Sequence, residues 1–213
     1  MTAIISLVQS DAVHFLTDGA MKDHAGGFSP VQKVISICHL PAIVVVRGPA
    51  VLLLAAAGQL SVAQTFDELC ECASASLMAA EKTAFELMKS SAAGENFDCY
   101  MAGFRKGVGW CAYVMTNHFN YGFVPFTLQR MPDLSFAPSE GAVSEVVTGI
   151  RRAGVAADDF NPATDGLRIM RAQRKEGGPE WAGGFCQLTT ATAEGVRSRI
   201  LERWSGDFER SGT

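Results

Sequence analysis

The chain has 213 residues, 48% of them hydrophobic and 19% charged, with a formal net charge of -4. That composition suits one folded domain, residues 1–213, with a substantial core, and excludes a disordered chain. The acidic balance offers no basic footprint for nucleic acid or anionic lipid, and the longest apolar run, Val51 to Gly58, is too short to cross a bilayer.

The chain opens Met1-Thr2-Ala3-Ile4-Ile5-Ser6-Leu7-Val8, a small hydroxyl residue leading straight into a strand-like run. It has no basic region ahead of an apolar stretch, so no secretory signal is expected. Ile4 to Val8 and Ala12 to Thr17 read as a hairpin about Gln9-Ser10-Asp11, and Asp18-Gly19 ends the second strand. Lys22 to Pro30 reads as a Gly-rich loop. Lys33 to Ile37 and Ala42 to Val46 form a second hairpin, the latter strand covered on both faces because it has no polar alternation.

Gly48-Pro49 breaks that strand, and proline tolerates a first helical position, so Ala50 to Leu60 reads as a short buried helix. Thr65-Phe66-Asp67-Glu68 fits a capping box that opens a long helix from Phe66 to about Ser90. Leu69, Ala73, Leu77, Ala80, Ala84, Leu87 and Met88 recur at helical spacing as its inner stripe. Asp98 to Arg105 and Trp110 to Thr116 flank the turn Lys106-Gly107-Val108-Gly109, and Tyr121 to Leu128 reads as a third strand. A loop with Pro132, Pro138 and Gly141 leads to helices near Ala142 to Ala153 and Thr164 to Lys175. The second presents Arg168, Arg171, Arg174 and Lys175, a solvated face or a subunit contact. A strand, Phe185 to Thr192, a terminal helix, Ala193 to Trp204, and a polar tail, residues 205–213, complete the pattern.

The six cysteines (Cys38, Cys70, Cys72, Cys99, Cys111, Cys186) lie in apolar segments without a C-x-x-C pair. They read as buried free thiols of a reducing cytoplasm. The four histidines (His14, His24, His39, His118) have no ligand spacing, so neither a metal nor a cofactor is expected. Strands apolar on both faces, with helices gathered in pairs, imply an α+β fold of two packed sheets covered by helices.

Once Met1 is removed, Thr2 holds a nucleophile and a base on one residue, its hydroxyl and its α-amine. The amine, unperturbed near pKa 8, lies close to the range that favours general-base work. A lysine ammonium nearby keeps such an amine neutral, and a buried lysine needs an acidic partner. Asp18 and Lys33, opposite charges at two strand ends, read by themselves as a structural ion pair.

In this order of elements, and in Thr2, Asp18-Gly19, Lys33 and Gly48 at successive strand ends, the sequence resembles the proteasome-type N-terminal nucleophile hydrolases. It is most similar to the bacterial ATP-dependent peptidase subunit that forms ring stacks with an unfoldase. The resemblance covers nearly the whole chain and implies a four-layer αββα sandwich of two antiparallel sheets. It implies Thr2 as nucleophile, Asp18 and Lys33 as its charged support, and the Gly48 N–H as the oxyanion donor. It further implies a supporting serine at Ser139 and substrate contacts at Ala20, Val46, Arg47 and Ala50. The strand Ala42 to Val46 would offer its edge to an extended substrate.

Three features depart from the family pattern. The spacing from Asp18 to Lys33 is one residue short. The tract Glu176 to Gly184 lacks the family's D-x-x-S-G turn, with Glu176 and Glu180 the acids at hand. Arg47 stands where the family prefers something small, either to read an acidic substrate or to face solvent. The implied activity is a threonine peptidase in a homo-oligomeric ring, with an ATP-dependent unfoldase as its partner. Two alternatives stand beside it: a catalytically silent ring or scaffold protein, and a hydrolase of small-molecule amides.

Overall fold

Continuous apolar runs become the inner strands of this chain, and the amphipathic stretches between them become helices. The computed structural model describes residues 2–22, 28–37, 39–87, 96–138 and 141–208. In chain order the strands are β1 (Ile4–Val8), β2 (Ala12–Asp18), β3 (Ala20–Lys22), β4 (Phe28–Pro30), β5 (Val34–Ile37) and β6 (Ala42–Arg47). Helices α1 (Ala50–Leu60) and α2 (Phe66–Leu87) follow, then β7 (Asp98–Arg105), β8 (Gly109–Thr116), β9 (Gln129–Arg130) and β10 (Leu134–Ala137). The chain continues with α3 (Gly141–Arg152), α4 (Leu167–Gly177), β11 (Phe185–Thr192) and β12 (Gly195–Arg203). The architecture is α+β, with two five-stranded antiparallel sheets and a pair of helices for each.

The chain divides into two units. The first comprises Met1–Gln32, Asp133–Thr190 and Arg197–Thr213. Its sheet runs in the order β10-β1-β2-β11-β12, with β1 antiparallel to both β2 and β10. Side chains alternate across a strand, so Ala3, Ile5 and Leu7 point to one face. There they meet Val143, Val147 and Ile150 of α3 and Ile169 and Met170 of α4 in one core.

The second unit comprises Lys33–Pro132 and Ala191–Val196. Its sheet runs β5-β6-β7-β8-β9, antiparallel at every step. Val44 and Val46, Cys99 and Met101, and Cys111, Tyr113 and Met115 pack one face against α1 and α2. The α2 cap forms nearly as expected: Glu68 N–H donates to the Thr65 hydroxyl at 3.1 Å, while the Glu68 carboxylate accepts from Gln64 N–H at 2.8 Å.

Several expectations need correction. Tyr121 to Leu128 is no strand: Gly122 and Phe126 take left-handed φ of 74° and 56°, Pro125 lacks a ladder donor, and only the two-residue β9 follows. The span from Ala193 to Trp204 holds β12 (Gly195–Arg203), not a helix. Gly195 at φ 126° turns the chain, with Glu194 N–H donating to the Thr192 hydroxyl at 3.2 Å. Its arginines and glutamate, good helix formers, here decorate an edge strand of the sheet.

β10 arises inside the proline-flanked loop, where sequence offered no strand, and pairs Ile4 with Ala137. The segment read as a Gly-rich loop, Lys22 to Pro30, takes in the last residue of β3 and all of β4, which pair with one another. The helix expected from Thr164 begins with a π-helical turn, Pro162–Gly166, capped by Asn161, before α4 starts at Leu167. Pro49 is the N-cap of α1 rather than its first residue, and α1 is only half covered, with Leu54 69% exposed. The α2 stripe ends at Ala84, since Leu87 is 66% exposed; Met88 lies outside the described residues.

Candidate active site

In the first unit the site is built on the hairpin of β1 and β2. Thr2 precedes β1 and is buried; Asp18 ends β2 and is 1% exposed. The Asp18 carboxylate gathers three backbone donors. Its Oδ1 accepts from Ala3 N–H at 3.1 Å, and its Oδ2 accepts from Ala20 N–H at 3.3 Å and Gly183 N–H at 3.2 Å. Asp18 thus ties the residue directly behind Thr2 to the end of β2, to the start of β3 and to the turn before β11. The structure joins Asp18 to Ala20 and to Ala3, the residue that follows Thr2. Gly183 joins them through its amide alone, which no side-chain pattern announces.

Gly183 fits that place closely, since a Cβ there would stand 2.7 Å from the Pro179 carbonyl and 2.8 Å from Ala20 Cβ. Its carbonyl accepts from Gly19 N–H at 3.0 Å. In the same unit, Gln173 is fully buried and donates to the Pro138 carbonyl at 2.9 Å. Among the described residues its Oε1 has no partner. Ser139 and Met1 lie outside the described residues.

The second unit holds Lys33, Val46, Arg47, Gly48 and Ala50. Lys33 directly precedes β5 and is buried, 8% exposed. Gly48 follows β6 with φ 150°, and a Cβ there would stand 2.7 Å from Phe97 Cβ. A side chain is therefore disfavoured both by backbone conformation and by space. The strand-addition expectation for β6 needs correction, because β6 is paired on both edges, by β5 and by β7. The register with β5 ends at Val34 opposite Val45, so only Val46 and Arg47 run past it.

Arg47 does not simply face solvent, one of the two alternatives that the sequence left open. Its Nη1 donates to Asp98 Oδ2 at 3.3 Å and to the Tyr121 hydroxyl at 2.8 Å. Burial pulls its pKa down, but Tyr121 and Asp98 outweigh that and hold it above the ordinary arginine value. Asp98 is 2% exposed and also accepts from His118 Nε2 at 2.8 Å and Tyr121 at 3.2 Å. His118 Nδ1 accepts from Asn120 N–H at 3.2 Å, which makes Nε2 the protonated nitrogen. This network was missed because its members come from three separate segments. The only local hint was Arg47 and Asp98 at two strand ends, which the register places opposite one another.

Three of the buried thiols are poorly suited to act as nucleophiles. Burial pushes Cys70, Cys99 and Cys186 up to about 12, leaving them protonated. Among the described residues no group of three or more His, Cys, Asp or Glu side chains is placed to hold a metal ion, and no helix is long and apolar enough to cross a membrane. A cavity of about 460 Å³ in the second unit, between Ser36–Pro41 and Ala193–Val196, contains none of the residues expected at the site.

No protein-family model matches the chain, and no curated protein matches it by sequence. Solved structures do. Anbu from Hyphomicrobium sp. strain MC1 superimposes with a TM-score of 0.68 at 10% identity, over 95% of this chain and 88% of that one. A mutant of the same protein gives 0.65 at 11% identity, over 95% and 87%. Anbu from Yersinia bercovieri, described as an ancestral beta-subunit, gives 0.66 at 9% identity, over 98% and 90%. The likeness establishes the fold. It is the α+β fold of paired helices and antiparallel sheets expected from the sequence, and at these identities the likeness speaks for the fold alone.

Proposed function

We propose that this chain is a threonine-type amidohydrolase acting on peptides, with Thr2 exposed by removal of Met1. The observation that carries the reading is the buried Asp18 carboxylate accepting the Ala3 N–H, which fixes the backbone immediately behind a threonine at the head of β1. A nucleophile on a frayed terminus would not hold attack geometry, and chain ends are ordered only when tied down.

In this reading the α-amine of Thr2 takes the hydroxyl proton as Oγ attacks the carbonyl carbon. The negative charge that develops on the carbonyl oxygen receives the Gly48 N–H. Collapse passes the proton to the leaving amine and leaves an acyl ester on Oγ. Water, activated by the same α-amine, cleaves that ester, releases the acid and restores Thr2. Lys33 supplies the ammonium that keeps the α-amine neutral, with Asp18 as its counter-charge. Ser139 supports the nucleophile, and Ala20, Val46 and Ala50 contact substrate.

The fold likeness to a protein described as a beta-subunit supports assembly into a homo-oligomer, and an ATP-dependent unfoldase would be the natural supplier of extended chains. The missing serine in the Glu176 to Gly184 tract favours one second reading, a silent scaffold of the same fold.

Intact mass of the purified protein, with and without a threonine-directed β-lactone or epoxyketone, separates the two. The enzyme loses Met1 and gains one adduct, which peptide mapping places on Thr2. Thr2→Ala abolishes both adduct and hydrolysis while the protein stays folded. Complete retention of Met1, or no adduct on processed protein, would leave the scaffold standing.

A further inference from the structure

The tract that lacks the family's acidic-serine turn is held by a different device. Gly183, the donor to Asp18, sits between Ala182 and Gly184, and both neighbours are fixed by one ion pair. Arg174, in the last turn of α4, grips Asp207 with a two-pronged fork: Nη1 to Oδ2 and Nη2 to Oδ1, both at 2.7 Å. Nη1 also donates to the Ala182 carbonyl at 2.8 Å, and Asp207 Oδ2 accepts from Gly184 N–H at 2.8 Å. The guanidinium lies 4.7 Å over the Trp204 ring, and Asp207 is 5% exposed. A charge buried this fully is retained only with full partnering, and one hydrogen bond from each member of the pair reaches the same three-residue turn, at Ala182 and at Gly184.

We propose that Arg174 and Asp207 are positioning residues for the nucleophile. They clamp residues 182–184 so that Gly183 N–H is presented to Asp18, and Asp18 in turn holds the Ala3 amide behind Thr2. The clamp does the work that a serine-bearing turn would otherwise do. It draws on the end of the chain, where sequence showed only a polar tail. The inference rests on Thr2 as the nucleophile, and its test separates the two.

The experiment compares wild type with Asp207→Asn, Arg174→Lys and, as a control, Arg171→Gln. Arg171 lies on the same helix but pairs with Glu202 at 2.9 Å in an exposed bridge, with 58% and 28% of the two side chains accessible. Three readouts are taken well below each variant's Tm: the second-order rate of β-lactone acylation across pH, the reversible affinity that precedes acylation, and hydrogen exchange at the Ala3 amide. The expected result is acylation slowed about 10-fold or more in both clamp variants, a displaced pH midpoint, unchanged reversible affinity and faster Ala3 exchange. Arg171→Gln should match wild type throughout.

Clamp variants that acylate and exchange like wild type, even with a lower Tm, overturn the proposal. Should Asp207→Asn fail to fold, Arg174→Lys, which keeps the charge and loses the fork, decides alone. Should processed wild type resist acylation, the threonine reading falls. The clamp is then judged by Ala3 exchange: faster in the variants supports it, unchanged overturns it.

Discussion

His14 shows how a single residue can set the acid limit of this protein. The Gln9 amide nitrogen donates to the carbonyls of Ala157 at 2.7 Å and Phe160 at 3.0 Å, so its Oε1 faces His14. His14 Nε2 donates to that oxygen at 2.8 Å, and Nδ1 is 2.9 Å from the Thr190 hydroxyl, so the ring fits its pocket as the neutral form. Burial, only partly opposed by Asp11, lowers its pKa from 6.5 to about 4. Between those values the unfolded chain binds a proton that the folded one refuses. Stability is therefore complete above pH 6.5 and drains as pH falls toward 4, by up to about 3 kcal/mol from this residue. Urea unfolding at pH 7 and near pH 4.5 measures the loss. His14→Gln should flatten the slope relative to wild type; an identical slope would show that other groups carry it.

At the level of elements, the turn after β6 depends on what happens at the start of β7. Asp98 stands opposite Arg47, and Phe97, whose N–H donates to Asn117 Oδ1 at 2.9 Å, is the surface on which Gly48 rests. Removing Asp98 strands a guanidinium whose side chain is only 20% exposed, so Asp98→Ala should cost about 3 kcal/mol in denaturant unfolding. The double variant Arg47→Met with Asp98→Ala should recover part of that loss, because no uncompensated charge remains. Strict additivity of the two single variants would show that the pair is not coupled. Gly48→Ala attacks the same turn from the other side. With φ at 150° and Phe97 in the way, the turn must shift and take the Gly48 amide with it. If that amide is the oxyanion donor, hydrolysis falls about 100-fold, with KM little changed. A drop in affinity alone would assign the turn to substrate binding.

Over the whole molecule, what could be read in the sequence tracks how strands are buried. β1, β2, β6, β7, β8 and β11 carry apolar runs dense enough to announce themselves, and with them came Thr2, Asp18 and Gly48 at their ends. β10 and β12 are edge strands, part exposed, with no period to find. The clamp was invisible for another reason: Arg174 and Asp207 are 33 residues apart, and nothing local in either segment names the other. Backbone donors such as Gly183 N–H leave no trace in residue type. Element order was therefore enough to find the fold, while half of the candidate site depends on pairings that only tertiary structure supplies.

The same scale decides between the remaining functions, because a ring peptidase and a small-amide hydrolase differ first in mass. Peptide hydrolysis at an N-terminal threonine needs a means of keeping folded proteins away, and enclosure by copies of the chain provides one. Native mass spectrometry should then show a closed assembly of many copies. Thr2→Ala should leave that assembly intact, since it removes a hydroxyl and a methyl group from a residue whose backbone is held through Ala3 and Asp18. A monomer that still acylates at Thr2 would discard the ring, and the unfoldase with it, and point to small amides as substrates. An assembly without acylation would point instead to the scaffold, so mass and adduct together leave one reading in each case.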